Sequence, residues 1–453
     1  MEQRANFRSK LGIILASAGS AVGLGNVWRF PTEVGAGGGA VFILIYIICV
    51  LVLGIPLMVA EFVIGRHTHR NTADAYRQLA PGSAWVLQGY LGVFTAWFIL
   101  CYYGVVAGWT LKYLVDALAG RIAAISDSAA YFTDFSSSTW APVAYMVAVM
   151  LMCHLVIVRG VQNGIERYSK LMMPLLLLII ALLVVFSFSM PGSREGMRFL
   201  LRPDFSKLSP DVFLSAMGQA FFSLSIAMGC LCTYASYFTD DARLVKTAGS
   251  VALIDTTVAI MSAFIIFPAV FSVDGGTPDA GPGLVFITLP TVFQMAFGSL
   301  PALGWFFSVL FYLLLLLAAL TSMMSIHEPS TAFLLEHFHM KRPTATRIVT
   351  ASAIAVGVLC SLSFGPLADV RPLFGMTFFD FFDFISAKLF LPLGGIIISL
   401  FVGWKLPRQL VHDELTNHGL LHFPFLALCS FLLRWVAPLA IGLVFLNELG
   451  LFK

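Results

Sequence analysis

Apolar positions dominate this chain in long runs, broken at intervals by short polar connections. A helix needs about 20 mainly apolar residues to cross the hydrocarbon of a bilayer. By that measure the pattern predicts about eleven spans, at residues 11–33, 40–65, 86–119, 141–158, 167–189, 211–238, 244–272, 302–335, 346–363, 374–404 and 420–448. No low-complexity linker separates them, so residues 1–453 read as a single all-α polytopic membrane domain.

Two spans carry small and polar residues that a plain anchor would not. The first contains "SAVGLGNVWRFPTEVGAGGGAVF", residues 20–42. Gly23 and Gly25 each cost a helix roughly 1 kcal/mol relative to alanine, and Asn26 and Arg29 are expensive in lipid. The sixth contains "GQAFFSLSIAMGCLCTYASY", residues 218–237, with serines and a threonine in its middle and Gly229. A helix that opens inside the membrane frees carbonyls and amides, which must be satisfied internally or by a bound solute. The competing reading is a small-residue face for helix contact. The two interrupted spans hold corresponding places if residues 11–189 and 211–404 are two five-span halves, with 420–448 as an extra span. Paired interruptions of this kind predict an inverted repeat with unwound helices one and six and a binding site at the midplane.

Composition narrows the class. The chain is 59% hydrophobic and 11% charged, outside the range of soluble domains, and no nucleic-acid partner is expected. The opening "MEQRANFRSK" lacks an apolar core, so no cleavable signal peptide is expected. Basic residues in the connections set orientation. Arg4, Arg8, Lys10, Arg66, Arg70, Arg77, Arg159, Arg167, Lys170, Arg243, Lys246, Lys341, Arg342, Arg347, Lys405 and Arg408 fall on the N-terminal side. Arg121, Arg194, Arg198, Arg202, Lys207, Arg371 and Lys453 fall on the other. The bias predicts a multi-pass cell-membrane protein with a cytoplasmic N-terminus and an external C-terminus. The seven cysteines show no disulfide framework. Cys230 and Cys232 read as packing residues, and His337 and His339 as a solvated loop face. Residues 273–301 lack Lys and Arg, and "GPGLVFITLPTVFQMAF" within them is too apolar for a solvated loop. Short helices packed on the outer face, a candidate lid, are expected there.

The motifs "GSAVGLGNVWRFP", "GGGAVFILIY", "GIPLMVAEFVIGR", "GQAFFSLS" with "TYASY", "GPGLVFITLP" and "ALTS" are long and specific. In them the chain resembles the neurotransmitter:sodium symporter family, in its bacterial amino-acid transporter branch, over essentially its whole length. Many members carry a twelfth span; eleven are read here, as in shorter bacterial members.

The resemblance implies two sodium sites. The first uses the Ala21 carbonyl, the Asn26 side chain, Ser223, Asp255 and the substrate carboxylate. The second uses the Gly19, Val22 and Ala318 carbonyls with the hydroxyls of Thr321 and Ser322. Sodium, a hard cation, favours such oxygen ligands; the alternative for the two hydroxyls is bonding back to their own helix. The implied substrate pocket is Ser20, Ala21, Leu24, Gly25, Ile99, Tyr103, Phe222, Ser223, Ser225, Met228, Ser322 and Ile326, with Tyr103 hydrogen-bonding the substrate carboxylate. A half-helix N-terminus also suits that carboxylate. Monoamine carriers of the family place aspartate where this chain has Gly23, so glycine fits a substrate that brings its own carboxylate. Ile99, Phe222, Met228 and Ile326 fit a neutral, hydrophobic or aromatic side chain.

Asp255 lies deep in "ALIDTTVAIM", where an isolated charge is costly. Family members commonly have asparagine here, and chloride-dependent ones a serine four residues later, where this chain has Ala259. Asp255 is therefore expected to supply the negative charge itself, making chloride unnecessary; the alternative is a protonated structural acid. The implied outer gate pairs Arg29 with Asp383 above Tyr103 and Phe222. The implied inner gate pairs Arg4 with Glu336, helped by Phe7 where tryptophan is usual; positive-inside topology alone also explains Arg4. Glu61 reads as a structural acid. Ala227 stands where glycine is usual, and its methyl is expected to narrow the pocket or restrict unwinding. Lys388 and Arg434 lie within spans and call for snorkelling or an acidic partner. The function implied is sodium-coupled amino-acid uptake by alternating access, with no enzymatic constellation. A membrane sensor that binds an amino acid without transporting it is the alternative.

Overall fold

The computed structural model describes residues 6–272, 284–296, 301–372 and 374–449. Among them every regular element is a helix. Eight helices are long and apolar enough to cross a membrane: Ala40–Thr68, Val86–Leu118, Val161–Ser187, Leu244–Val270, Pro301–His337, Arg342–Leu362, Phe378–Lys405 and Leu426–Asn447. They correspond to spans two, three, five and seven to eleven. The fourth, Ala141–Ile157, meets a short outer helix, Ser128–Ser137, at 76°.

The first and sixth spans are the broken ones. Lys10–Ala21 and Gly25–Ala36 meet at 54°. The first half stops at Val22, whose ψ of 107° leaves the helical region just before Gly23. The chain re-enters through a π-helical turn over Gly25–Arg29, a rare geometry that concentrates at functional sites. Span six divides into Pro210–Ser223 and Cys230–Ala235. Between them Ser225, Ala227 and Gly229 take φ values of 54°, 66° and 70°. Left-handed backbone costs a residue with a Cβ about 1–2 kcal/mol, so surrounding contacts must hold Ser225 and Ala227 there.

Span eight packs along span three, and the inner half of span one lies against spans five, seven and eight. Both halves of span six rest on span two. In the outer loop, helix Thr288–Ala296 packs on spans seven and eight. Tyr113 and Tyr312 donate to the carbonyls of Phe286 and Val285 at 2.8 and 3.2 Å. The rest of that loop, 273–283 and 297–300, lies outside the described residues. All seven cysteines are free and buried. His337 ends span eight and meets Asp74 at 3.0 Å, so it is a partnered side chain rather than part of a solvated loop.

Candidate substrate and ion site

The two breaks face each other at the centre of the protein. Ser225 donates its hydroxyl to the Ser20 carbonyl at 2.8 Å, tying the open stretch of span six to the last turn of the first half-helix. Glu61 of span two, 1% exposed, accepts the amides of Ala227 and Cys232 at 2.6 and 3.3 Å. Thr72 donates to the Gly229 carbonyl at 2.9 Å. An unsatisfied buried polar group costs about 1–3 kcal/mol; these side chains replace the helix bonds that the break removes. Thr72 escaped the sequence reading because a lone threonine beyond a span gives no sign of its partner.

The two oxygen clusters implied by the resemblance assemble on either side of the break in span one. In one, Ser223 donates to Asp255 at 2.9 Å, and Tyr46, which the sequence reading passed over, donates to the same carboxylate at 3.2 Å. Asn26 presents its amide nitrogen to this cluster, 2.7 Å from Asp255 Oδ1 and 3.2 Å from Ser223 Oγ. Its oxygen instead accepts the Gly23 N–H at 2.9 Å. The expectation that Asn26 offers its oxygen here thus requires a half-turn of the amide. In the other cluster, Ser322 and Thr321 donate to the Val22 carbonyl at 3.1 and 3.5 Å. Thr321 also bonds back to the carbonyls of Leu317 and Ala318, both at 3.0 Å, so its hydroxyl serves its own helix and faces span one at once. A Cβ on Gly19 would come within 3.3 Å of the Thr321 Cβ, which places Gly19 beside this cluster. Ala21 is buried at the end of the half-helix between the two.

Several of the implied pocket residues meet at the same point. The Leu24 N–H donates to the Tyr103 hydroxyl at 3.1 Å. A Cβ on Gly23 would lie 2.4 Å from Ser322 Oγ and 3.1 Å from Tyr103 Oη, and one on Gly25 would lie 3.1 Å from the Phe222 ring. Ile99 and Ile326 are buried on spans three and eight, and Met228 is buried in the open stretch of span six. The methyl of Ala227 points elsewhere than the sequence reading placed it. It faces span ten, where a Cβ on Gly394 would approach it to 3.0 Å. Gly394→Ala is therefore expected to destabilise the protein by about 1–3 kcal/mol through overpacking. Adding Ala227→Gly should recover most of that loss, as read by thermal unfolding of the purified single and double variants.

The implied gate residues are brought together only in part. Arg29 lies 4.7 Å over the Phe222 ring and 3.6 Å from Glu33, one turn along. Among the described residues no ion pair joins it to Asp383, the partner the sequence reading gave it. Glu33 lies closer along the same helix and is itself held by the hydroxyl of Ser215. At the N-terminal end, Phe7 is 2% exposed and packs edge-on against Tyr234 and Tyr237. Glu336 accepts the Asn71 N–H at 2.7 Å; Arg4 lies outside the described residues.

Membrane-spanning helices that break within the span, with buried oxygens gathered at the breaks, are the construction of a solute carrier. The chain matches the model of the sodium:neurotransmitter symporter family over residues 4–134 and 120–453, and it belongs to that family. It is 40% identical over 449 residues to an uncharacterised sodium-dependent transporter, YhdH, of Bacillus subtilis, covering 98% of each chain. It is 33% identical to a sodium-dependent transporter of Haemophilus influenzae, covering 99% of each. Its structure is similar to the crystal structure of MhsT in complex with L-phenylalanine, with a TM-score of 0.89 and 40% identity, covering 98% of this chain and 100% of that one. The protein is thus a sodium-dependent, multi-pass membrane transporter, not an enzyme.

Proposed function

We propose that the protein imports a neutral amino acid with an aliphatic or aromatic side chain, coupled to sodium at two sites and independent of chloride. The observation that carries this reading is the Leu24 N–H and Tyr103 hydroxyl meeting at 3.1 Å, between two buried oxygen clusters. An amide at a half-helix N-terminus beside a phenol suits a carboxylate. At position 23 a carboxylate of the protein's own would crowd the site, since a Cβ there would lie 2.4 Å from Ser322 Oγ and 3.1 Å from Tyr103 Oη. The substrate must then bring the carboxylate, and the buried Ile99, Met228 and Ile326 take its side chain. The bound L-phenylalanine of MhsT, a protein of similar structure, supports the same chemistry.

Alternating access follows from the breaks. Closing the outer side calls for Arg29 to exchange Glu33 for Asp383 above Phe222, and opening the inner side for Phe7 to leave the aromatic rings under span six. With the N-terminus in the cytoplasm, the membrane potential drives sodium inward at about 2.3 kcal/mol per charge and 100 mV. A panel of competitors tests the substrate class. L-Phenylalanine should outcompete phenethylamine by about 100-fold, because losing the carboxylate forfeits two charge-assisted hydrogen bonds. Amines that match or outrank their parent amino acids would overturn the reading.

A further inference from the structure

Arg434, which the sequence left without a partner, stands in a groove outside the transport path. Span ten widens into a π-helical turn at Phe401–Lys405, and span eleven does so at Leu432–Val436. The two turns are stitched together. Arg434 donates through Nε to the Gly403 carbonyl, and Trp404 donates through its indole nitrogen to the Arg434 carbonyl at 3.1 Å. A Cβ on Gly403 would lie 3.0 Å from Arg434 Cγ, so the helices touch here. Beside the contact is a cavity of about 400 Å³ lined by Leu406, Val411, Leu415, Leu433, Arg408 and Arg434.

One wall of the groove is the helix Arg408–Thr416, which is fixed from behind. Its Glu414 pairs with the buried Arg66 of span two at 2.6 Å, and Arg66 also donates to Asn417 at 3.1 Å. The other side opens outward between Trp404 and Trp435, which are 54% and 51% exposed and meet edge-on at 4.8 Å. Paired tryptophans of this kind mark the level of the bilayer interface. The guanidinium of Arg434 lies 5.7 Å over the Trp404 ring, and among the described residues no acid pairs with it. Arg408 and Lys405 are exposed at the same end of span ten. A fixed apolar groove therefore opens at the interface, with tryptophans at its mouth and cationic groups that no acid pairs with among the described residues.

We propose that this groove binds an anionic phospholipid of the leaflet on the N-terminal side. An acyl chain would lie along Leu406, Val411, Leu415 and Leu433, and the phosphate would be held by Arg434 and Arg408. A planar guanidinium with free N–H groups matches phosphate oxygens, and the apolar floor needs a chain that free phosphate lacks. The site is separate from the breaks and does not depend on which solute is carried.

Native mass spectrometry of the full-length protein in detergent tests this, using added phosphatidylglycerol or phosphatidylcholine. Wild type should retain phosphatidylglycerol in preference to phosphatidylcholine, and millimolar inorganic phosphate should not displace it. Arg434→Gln and Arg408→Gln should each weaken phosphatidylglycerol retention by about five-fold, the scale of one basic residue at an anionic surface, with phosphatidylcholine unchanged. Arg434→Lys should keep most of the preference. Arg408 is exposed, so its variant reads out even where Arg434→Gln perturbs the helix contact. Equal retention of the two lipids by wild type, unchanged phosphatidylglycerol retention in both glutamine variants, or displacement by inorganic phosphate would overturn the proposal.

Discussion

Thr321→Ala combined with Ser322→Ala is expected to reduce sodium-dependent uptake by about 100-fold or more, at two charge-assisted contacts of about 1.5–3 kcal/mol each. The two hydroxyls converge on the Val22 carbonyl at 3.5 and 3.1 Å, at the point where the first half-helix ends and its carbonyls lose their helical partners. A hard cation entering here needs several oxygens at once. Removing two of them leaves the remaining carbonyls unable to replace its hydration. The substitutions delete little volume, and Thr321→Ser with Ser322 intact should transport nearly as wild type, which separates lost oxygen from lost packing. Half-saturating sodium is the measurement. If Thr321 serves only the Leu317 and Ala318 carbonyls, the double alanine variant will keep its sodium dependence, and the second ion site has been put in the wrong place.

Asp255→Asn is expected to remove transport in chloride-free medium. Every contact to this carboxylate comes from a group able to donate: the Asn26 amide, the Ser223 hydroxyl and the Tyr46 hydroxyl. The Asn26 N–H can only donate, so one oxygen of the carboxylate is held as an acceptor, and the ionised form can accept from all three groups at once. In the proposed ion site that charge would lie in low dielectric next to a sodium ion and a substrate carboxylate, poorly screened and worth far more than in water. Asparagine keeps the shape and loses the charge. Ala259 lies one turn further along the same face, so Asp255→Asn with Ala259→Ser rebuilds a polar niche in which an external anion can take over. Uptake in chloride and in gluconate at fixed sodium decides the matter. Wild type should be equal in both, the single variant inactive in gluconate, and the double variant dependent on chloride. A wild-type protein that stops in gluconate contradicts the role given to Asp255.

The spans were legible because a bilayer admits few solutions for long apolar runs. The break in span one was equally legible, since Gly23 and Gly25 announce a helix that is meant to open. Span six shows where such reading stops. Its left-handed residues include Ser225 and Ala227, which have Cβ atoms and carry no local sign of that conformation; Glu61 and Thr72, distant in sequence, hold the stretch open. The side to which the Ala227 methyl points was illegible for the same reason, because Gly394, which it faces, lies on span ten, far along the chain. Arg29 had two acids within reach, and sequence spacing does not rank Glu33, one turn away, against Asp383 on span ten. Asn26 was found by type, but which end of its amide faces Asp255 depends on the acceptors Asp255 and Ser223 on spans seven and six and on the Gly23 N–H beside it. Arg434 was found as an anomaly, and its surroundings became visible only once spans ten and eleven were brought together.

Accumulation by purified protein in liposomes tests the central claim most directly. Protein reconstituted into vesicles is given labelled L-phenylalanine outside, with sodium gluconate outside and potassium gluconate inside. The account predicts a sodium-driven overshoot in which internal label rises above the external concentration, collapses when a sodium ionophore is added, and is absent with potassium on both sides. Saturable binding of the label without accumulation, or uptake that ignores the sodium gradient, would contradict it.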